Sequence, residues 1–191
     1  MIPLPRSFGG FKSSPLASLL IEAAMIAMQK APLIHRKKGE FGFEALRDFN
    51  RDLWRKVHDQ VRMRQQVPKV GLFGSDIDPA YVKITQTAAL SAKVEKHCQL
   101  TTADFFQRES PAPTGTLICN IPYGLRLDEQ AIDASYFKKI GDTFKQKYPN
   151  WTCAVLAPKD SPYKSLGLKP QKKFFFRNGS VEVVLLVFEI Y

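Results

Sequence analysis

The sequence predicts a Rossmann-like α/β fold, a mostly parallel sheet with helices on both faces that ends in an antiparallel hairpin. Three observations predict it. Short strand-like runs at 70–73, 97–101, 117–119 and 152–157 are joined, after the first and the third, by segments of helical period at 79–94 and 133–148. Asp76, Asp104 and Asn120 fall just past the first three runs, and ligands of open α/β sheets bind at the carboxyl ends of strands. Arg177-Asn178-Gly179-Ser180 parts a Phe run from the apolar stretch 181–190, and Asn-Gly between strands is a strong hairpin signal.

A chain of 191 residues is of ordinary size for one domain, and residues 1–191 are taken as a single unit. A hydrophobic content of 45% excludes global disorder. No apolar run reaches the roughly 18–20 residues of a membrane span, and the amino terminus lacks the layout of a secretion signal. Cys98, Cys119 and Cys153 are isolated among apolar residues, as reduced core thiols are, and they suggest no zinc site. A cytoplasmic protein is expected. The net charge of +10 favours a polyanion, nucleic acid being the usual one, against plain solubility.

The elements follow in order. Residues 18–29 read as a helix, apolar almost all round with Glu22 on the surface, ended by Pro32. Residues 43–63 read as one long helix with Phe43, Leu46, Phe49, Leu53 and Val57 on one side; Trp54 and His58, one turn apart, read as a packing pair. Strand 70–73 leads to Asp76, placed to accept the hydroxyls of a ribose, while Asp78 before Pro79 suits the cap of a helix over 79–94. Strand 97–101 leads to Asp104 and Phe105, where a turn role competes with ligand contact. Residues 133–148 read as an amphipathic helix burying Tyr136, Phe137, Ile140 and Phe144, and 158–168 as a loop with one helical turn.

The chemistry concentrates in Leu117-Ile118-Cys119-Asn120-Ile121-Pro122-Tyr123-Gly124. A fully buried strand ends there, because Pro122 has no N–H and holds Ile121 extended. The amide oxygen of Asn120 and the main-chain carbonyl beside Pro122 can both accept from one exocyclic amine, while a planar base stacks on Tyr123. Two acceptors on its hydrogens favour the pyramidal amine and free a lone pair that conjugation otherwise delocalises. The bland alternative is a tight loop with a capping Asn and a packing Tyr. Basic residues cluster at 35–38, at 51–64, and at Lys169, Lys172, Lys173 and Arg177. The last cluster is interleaved with Phe174, Phe175 and Phe176 and could touch RNA, although a Phe run in a strand is more often core.

Asn120-Ile121-Pro122-Tyr123 resembles the Asn/Asp-Pro/Ile-Pro-Tyr/Phe motif of S-adenosylmethionine-dependent methyltransferases acting on amino groups. Leu19 to Ala27, Gly74-Ser75-Asp76-Ile77-Asp78-Pro79, Ala103-Asp104-Phe105-Phe106, Asn120 to Leu127 and Asn178-Gly179 are similar, in order, to motifs of the bacterial large-subunit rRNA guanine-N2 methyltransferases, also described as N6-adenine-specific DNA methylases. The resemblance implies a class I methyltransferase fold with S-adenosylmethionine as cofactor. It implies catalytic roles for Asn120, Pro122 and Tyr123, and cofactor contacts from Asp76, Ile77, Asp104 and Phe105. Arg126, Lys172, Lys173 and Arg177 would meet ribosomal RNA. Larger members carry an RNA-binding module upstream, so a fragment, a subunit or a stand-alone relative is expected.

Residues 1–18 depart from that pattern. The family places an acidic, Cys-Gly-Ser-Gly-Thr type loop immediately before the Leu-Ile-Glu-Ala-Ala helix; Phe11-Lys12-Ser13-Ser14-Pro15-Leu16-Ala17-Ser18 stands there instead. Pro3 and Pro5 occupy the place of a central strand, which tolerates proline poorly. Leu125 replaces the family's usual acidic residue. The departing loop motivates one alternative, a non-catalytic RNA- or protein-binding relative; a second, an enzyme acting on adenine N6 in DNA or a protein glutamine amide, arises because the same Asn-Pro-Tyr geometry serves each.

Overall fold

The computed structural model describes residues 15–34, 36–37, 39–121 and 133–191. The chain divides into two compact units, which meet in sequence at Thr102–Ala103.

In the first unit α1 (Pro15–Ala27) and α3 (Pro79–Ser91) accompany a parallel pair, β1 (Leu72–Asp76) and β2 (Cys98–Thr102). Ala24, Met25, Ala89 and Val94 form its core. α1 starts earlier than the sequence suggests, since a proline fits the first helical turn without losing a bond. It ends at Ala27, well before Pro32: Gln29 enters the left-handed region at φ 50°. Glu22 is on the surface, as expected. Lys30 is buried, and its ammonium donates to the Ala92 carbonyl at 2.6 Å and the Lys93 carbonyl at 3.2 Å. That contact ties the end of α1 to the carbonyls at the end of α3, a favourable place for a cation.

The long helix expected over 43–63 is a correction. A 3₁₀ turn, Gly42–Ala45, is followed by an irregular stretch, and α2 (Arg51–Met63) starts afresh. Asn50 explains the break: in an extended conformation, it accepts from the Leu53 N–H at 2.9 Å and caps a new helix. Nor is the apolar side buried, since Leu46, Leu53 and Val57 are exposed and no residue of α2 is buried. Phe41, Phe43, Phe49 and Trp54 instead pack on one another, and the Trp54 and His58 rings lie 5.8 Å apart, the packing pair expected.

The second unit is a four-stranded sheet in the order β3-β4-β6-β5, made of β3 (Gly115–Asn120), β4 (Trp151–Pro158), β5 (Lys172–Asn178) and β6 (Val181–Glu189). β3 and β4 are parallel; β4–β6 and β6–β5 are antiparallel. α4 (Ala134–Lys147) buries Phe137, Ile140 and Phe144 in a core with Val155, Val184, Leu186 and Phe188. Its cap is Asp133, which accepts from the N–H groups of Ser135 and Tyr136. One turn of 3₁₀ helix (Tyr163–Leu166) lies in the predicted loop. The hairpin is as expected, but the turn is shifted. Asn178 still pairs with Val181, so Gly179 and Ser180 form the two-residue loop, with the positive φ at Gly179, as a type II′ turn requires.

Candidate active site

Asp76 is the last residue of β1, where the sequence places it just beyond a strand end. It is half-buried, and one carboxylate oxygen accepts from the Asp78 N–H at 3.0 Å. Asp78 caps α3, accepting from the Ala80 N–H at 2.8 Å ahead of Pro79. The helix therefore uses Asp78 and leaves the second oxygen of Asp76 without a hydrogen bond among the described residues. Beside it, Ile77 is 70% exposed, an apolar surface next to an acceptor.

Asp104 follows the end of β2 by two residues. Its Oδ1 accepts from the Phe106 N–H at 2.9 Å, and its carbonyl accepts from Gln107 and Arg108 at 3.1 and 3.0 Å. It is a turn aspartate, yet the turn occupies one carboxylate oxygen only. The Phe105 ring stacks on Tyr148 at 6.1 Å and meets Phe144 edge-on, so the ring belongs to the core and only its main chain remains for a ligand.

Asn120 ends β3 opposite Leu156, and the Ile121 N–H donates to the Leu156 carbonyl at 2.9 Å, which carries the ladder one residue further. The expectation of a fully buried strand fails at Ile118, 48% exposed, because β3 borders only β4 within this unit. Asn120 Oδ1 is nonetheless buried and accepts no hydrogen bond among the described residues. The only other such atom among them, Glu44 Oε1, belongs to a carboxylate whose second oxygen accepts from the Gly39 N–H. Burial, with Cys153 nearby, pushes the neighbouring Cys119 thiol up to about 12, and burial beside Glu189 does the same for Cys153. Both are neutral thiols near neutral pH and all three cysteines are free, so neither thiol is a nucleophile. Pro122, Tyr123 and Arg126 lie outside the described residues.

Lys172, Lys173 and Arg177 stand on β5, away from these strand ends in sequence, and every residue of β5 is exposed. Arg177 lies 3.6 Å from Glu182, and the Lys173 ammonium lies 5.6 Å over the Tyr163 ring. Phe174, Phe175 and Phe176, which the sequence alone favours as core, are 50%, 61% and 45% exposed. The reason is position: β5 is the edge strand, and its only ladder partner is β6. The flanking Lys-Lys and Arg were the available signal.

Residues 17–186 match the family described as RMKL-like, methyltransferase domain. The chain belongs to that family. This RMKL-like methyltransferase domain is 30% identical over 178 residues to the "Ribosomal RNA large subunit methyltransferase K/L" of Shewanella frigidimarina, covering 91% of the chain and 25% of that relative. It superposes on a possible methylase from Clostridium difficile 630 with a TM-score of 0.80 at 26% identity, covering 91% of the chain and 45% of that protein. SMU.472, solved in complex with SAH, gives 0.78 at 27% identity with the same coverages. The chain thus spans a quarter of the first relative and under half of the other two.

In each unit, taken by itself, a strand-end turn leaves an acceptor that suits the donors of a nucleoside. Asp76 and Asp104 each keep one carboxylate oxygen unused by their turns. A ribose and an adenine amino group bring donors and no charge that such acceptors would repel. Residues 15–18, part of the segment that the sequence resemblance sets at the family's glycine-rich loop, are the first turn of α1.

Proposed function

We propose that this domain transfers a methyl group from S-adenosylmethionine to an exocyclic amine of a nucleobase in ribosomal RNA, with guanine N2 the preferred target. Family membership supports methyl transfer, and the K/L relative's name supports RNA as substrate. The observation that carries the amine is Asn120 Oδ1, buried at the strand end with no hydrogen-bond partner among the described residues.

Asp76 and Ile77 would hold the nucleoside ribose and one face of its base; Asp104 and the Phe105 main chain would take the adenine edge. The bound cofactor supplies an electrophilic methyl group on a sulfonium. The chain's own task is to prepare the amine. Asn120 accepts one N–H, the carbonyl beside Pro122 accepts the second, and Tyr123 stacks on a base flipped from its strand. Because Oδ1 has no partner to give up among the described residues, the amine's hydrogen bond forms without breaking one of theirs. No strong base is needed during attack, since the amine sheds its proton afterwards and rate comes from positioning.

Asn120→Ala is expected to lower kcat by about 10²–10³-fold, the scale for losing one preorganised hydrogen-bonding group, with donor affinity unchanged. Mass spectrometry of nucleosides after incubation with rRNA, tRNA and DNA reads both the rate and the methylated base. Methylated adenine in DNA would overturn the substrate assignment. The second reading, a non-catalytic RNA-binding relative, is favoured by the helical turn at residues 15–18. Calorimetry decides between them: no heat of binding with millimolar S-adenosylmethionine would end the enzyme reading.

A further inference from the structure

The three phenylalanines on β5 are exposed, and the methyl-transfer reading leaves them unused. β5 is an edge strand whose seven residues are all exposed, and side chains of a strand alternate between its faces. Register with β6 sorts them. Lys173, Phe175 and Arg177 oppose Leu186, Val184 and Glu182 on one face; Lys172, Phe174 and Phe176 oppose Val187, Leu185 and Val183 on the other. Each face therefore presents aromatic rings beside cations.

The face of Phe175 is the better developed. Phe175 is the most exposed of the three rings, at 61%, and it helps to border a concavity of about 430 Å³ with Lys159, Phe176, Arg177, Glu182 and Val183, a lining that draws on both faces of the hairpin. Tyr163 adds a second ring, under the Lys173 ammonium. Between positions 159 and 182 six cations (Lys159, Lys164, Lys169, Lys172, Lys173, Arg177) face two carboxylates (Asp160, Glu182). Both Lys159, at 2.9 Å, and Arg177 share Glu182, so one carboxylate serves two cations and leaves their pair with net positive charge.

Rings that stack on bases, interleaved with cations that meet phosphates, make the binding surface of proteins that hold single-stranded nucleic acid. The geometry points to β5 as a platform for an unpaired stretch of the RNA substrate, Phe175 stacking on a base while Lys173 and Arg177, on the same face, meet its phosphates. The assignment rests on the reading of the domain as an RNA methyltransferase. A second copy of the chain is a poorer occupant. β5 carries three cations and no carboxylate, so pairing two such edges sets like charges against one another.

Fluorescence anisotropy with a short labelled RNA, single-stranded and annealed to its complement, tests the platform without any methyl donor. Phe175→Ala is expected to weaken single-strand binding about tenfold and duplex binding hardly at all. Phe175→Leu should lose as much, since the ring and not the apolar area makes the contact; this milder change also guards against misfolding of the alanine variant. Lys173→Ala and Arg177→Ala should weaken both RNAs and flatten the salt dependence, by about 0.7 in log–log slope for each single-strand phosphate that is no longer neutralised. Unchanged single-strand affinity in Phe175→Ala overturns the proposal, and so does full recovery in Phe175→Leu, which would mark an apolar protein-binding patch. Sedimentation as a dimer that Phe175→Ala dissociates overturns it in favour of a second copy. Because binding is read without the donor, a failure here leaves the Asn120 assignment standing, and a failure there leaves this one.

Discussion

Asn120 Oδ1 sits buried at the end of β3 without a donor among the described residues, and an unsatisfied acceptor of this kind costs about 1–3 kcal/mol. Asn120→Leu keeps the side chain's size and removes the orphan, so thermal unfolding should show a stabilisation of about 1 kcal/mol while methyl transfer is lost. A destabilised Leu variant would mean that the amide is held by a bond essential to the fold. The thiols beside it give a pH signature. Cys119 and Cys153 have folded pKa values raised from 9.0 to about 12, mainly by burial. The unfolded chain releases those protons first, so their contribution to stability is whole below pH 9.0 and is lost as the pH rises towards about 12. Denaturant midpoints measured across that range should fall. The same burial should leave both thiols unreactive towards a thiol reagent near neutral pH until the protein unfolds.

Among the elements, α4 is seated by a glycine. A Cβ at Gly141 would run into the carbonyl and Cα of Leu166, in the 3₁₀ turn packed against the helix, and backbone cannot step aside as a flexible side chain can. Gly141→Ala should therefore destabilise the second unit by about 1–3 kcal/mol despite alanine's better helix propensity, read as a lower denaturant midpoint. A surface glycine-to-alanine change in a helix would do the opposite. The start of α3 was legible, since Asp78 caps it as its place before Pro79 suggests; α4 starts beside Asp133, where the sequence begins the helix, and there Asp133 is the cap. Helix extents were less legible. The 43–63 segment has an apolar repeat long enough for one helix, but Asn50 offers its side chain to the Leu53 N–H and starts a new one. Local hydrogen-bonding chemistry outweighed periodicity there.

For the molecule as a whole, the +10 charge sets how it meets a polyanion. Binding to RNA should fall steeply between about 50 mM and about 200 mM salt, since phosphate contacts release counterions. S-adenosylhomocysteine binding, held by acceptors and apolar contact, should change little over the same range when followed by calorimetry. Equal salt sensitivity of both ligands would argue that cations hold the cofactor, and would count against Asp76 and Asp104 as its partners.

The sequence alone determined the α/β class, the hairpin, the Asp78 cap and the three strand ends carrying Asp76, Asp104 and Asn120. Each of these follows from local rules of period, proline, glycine and short polar side chains. Tertiary structure decided what those rules cannot reach. It left Phe174 to Phe176 exposed because β5 became an edge, exposed Ile118 because β3 borders only β4 in its unit, and put the Phe105 ring against Tyr148. It also left Asn120 Oδ1 buried without a donor among the described residues. Burial and satisfaction are properties of neighbours distant in the chain, and a one-dimensional pattern does not specify which strand will lie beside which.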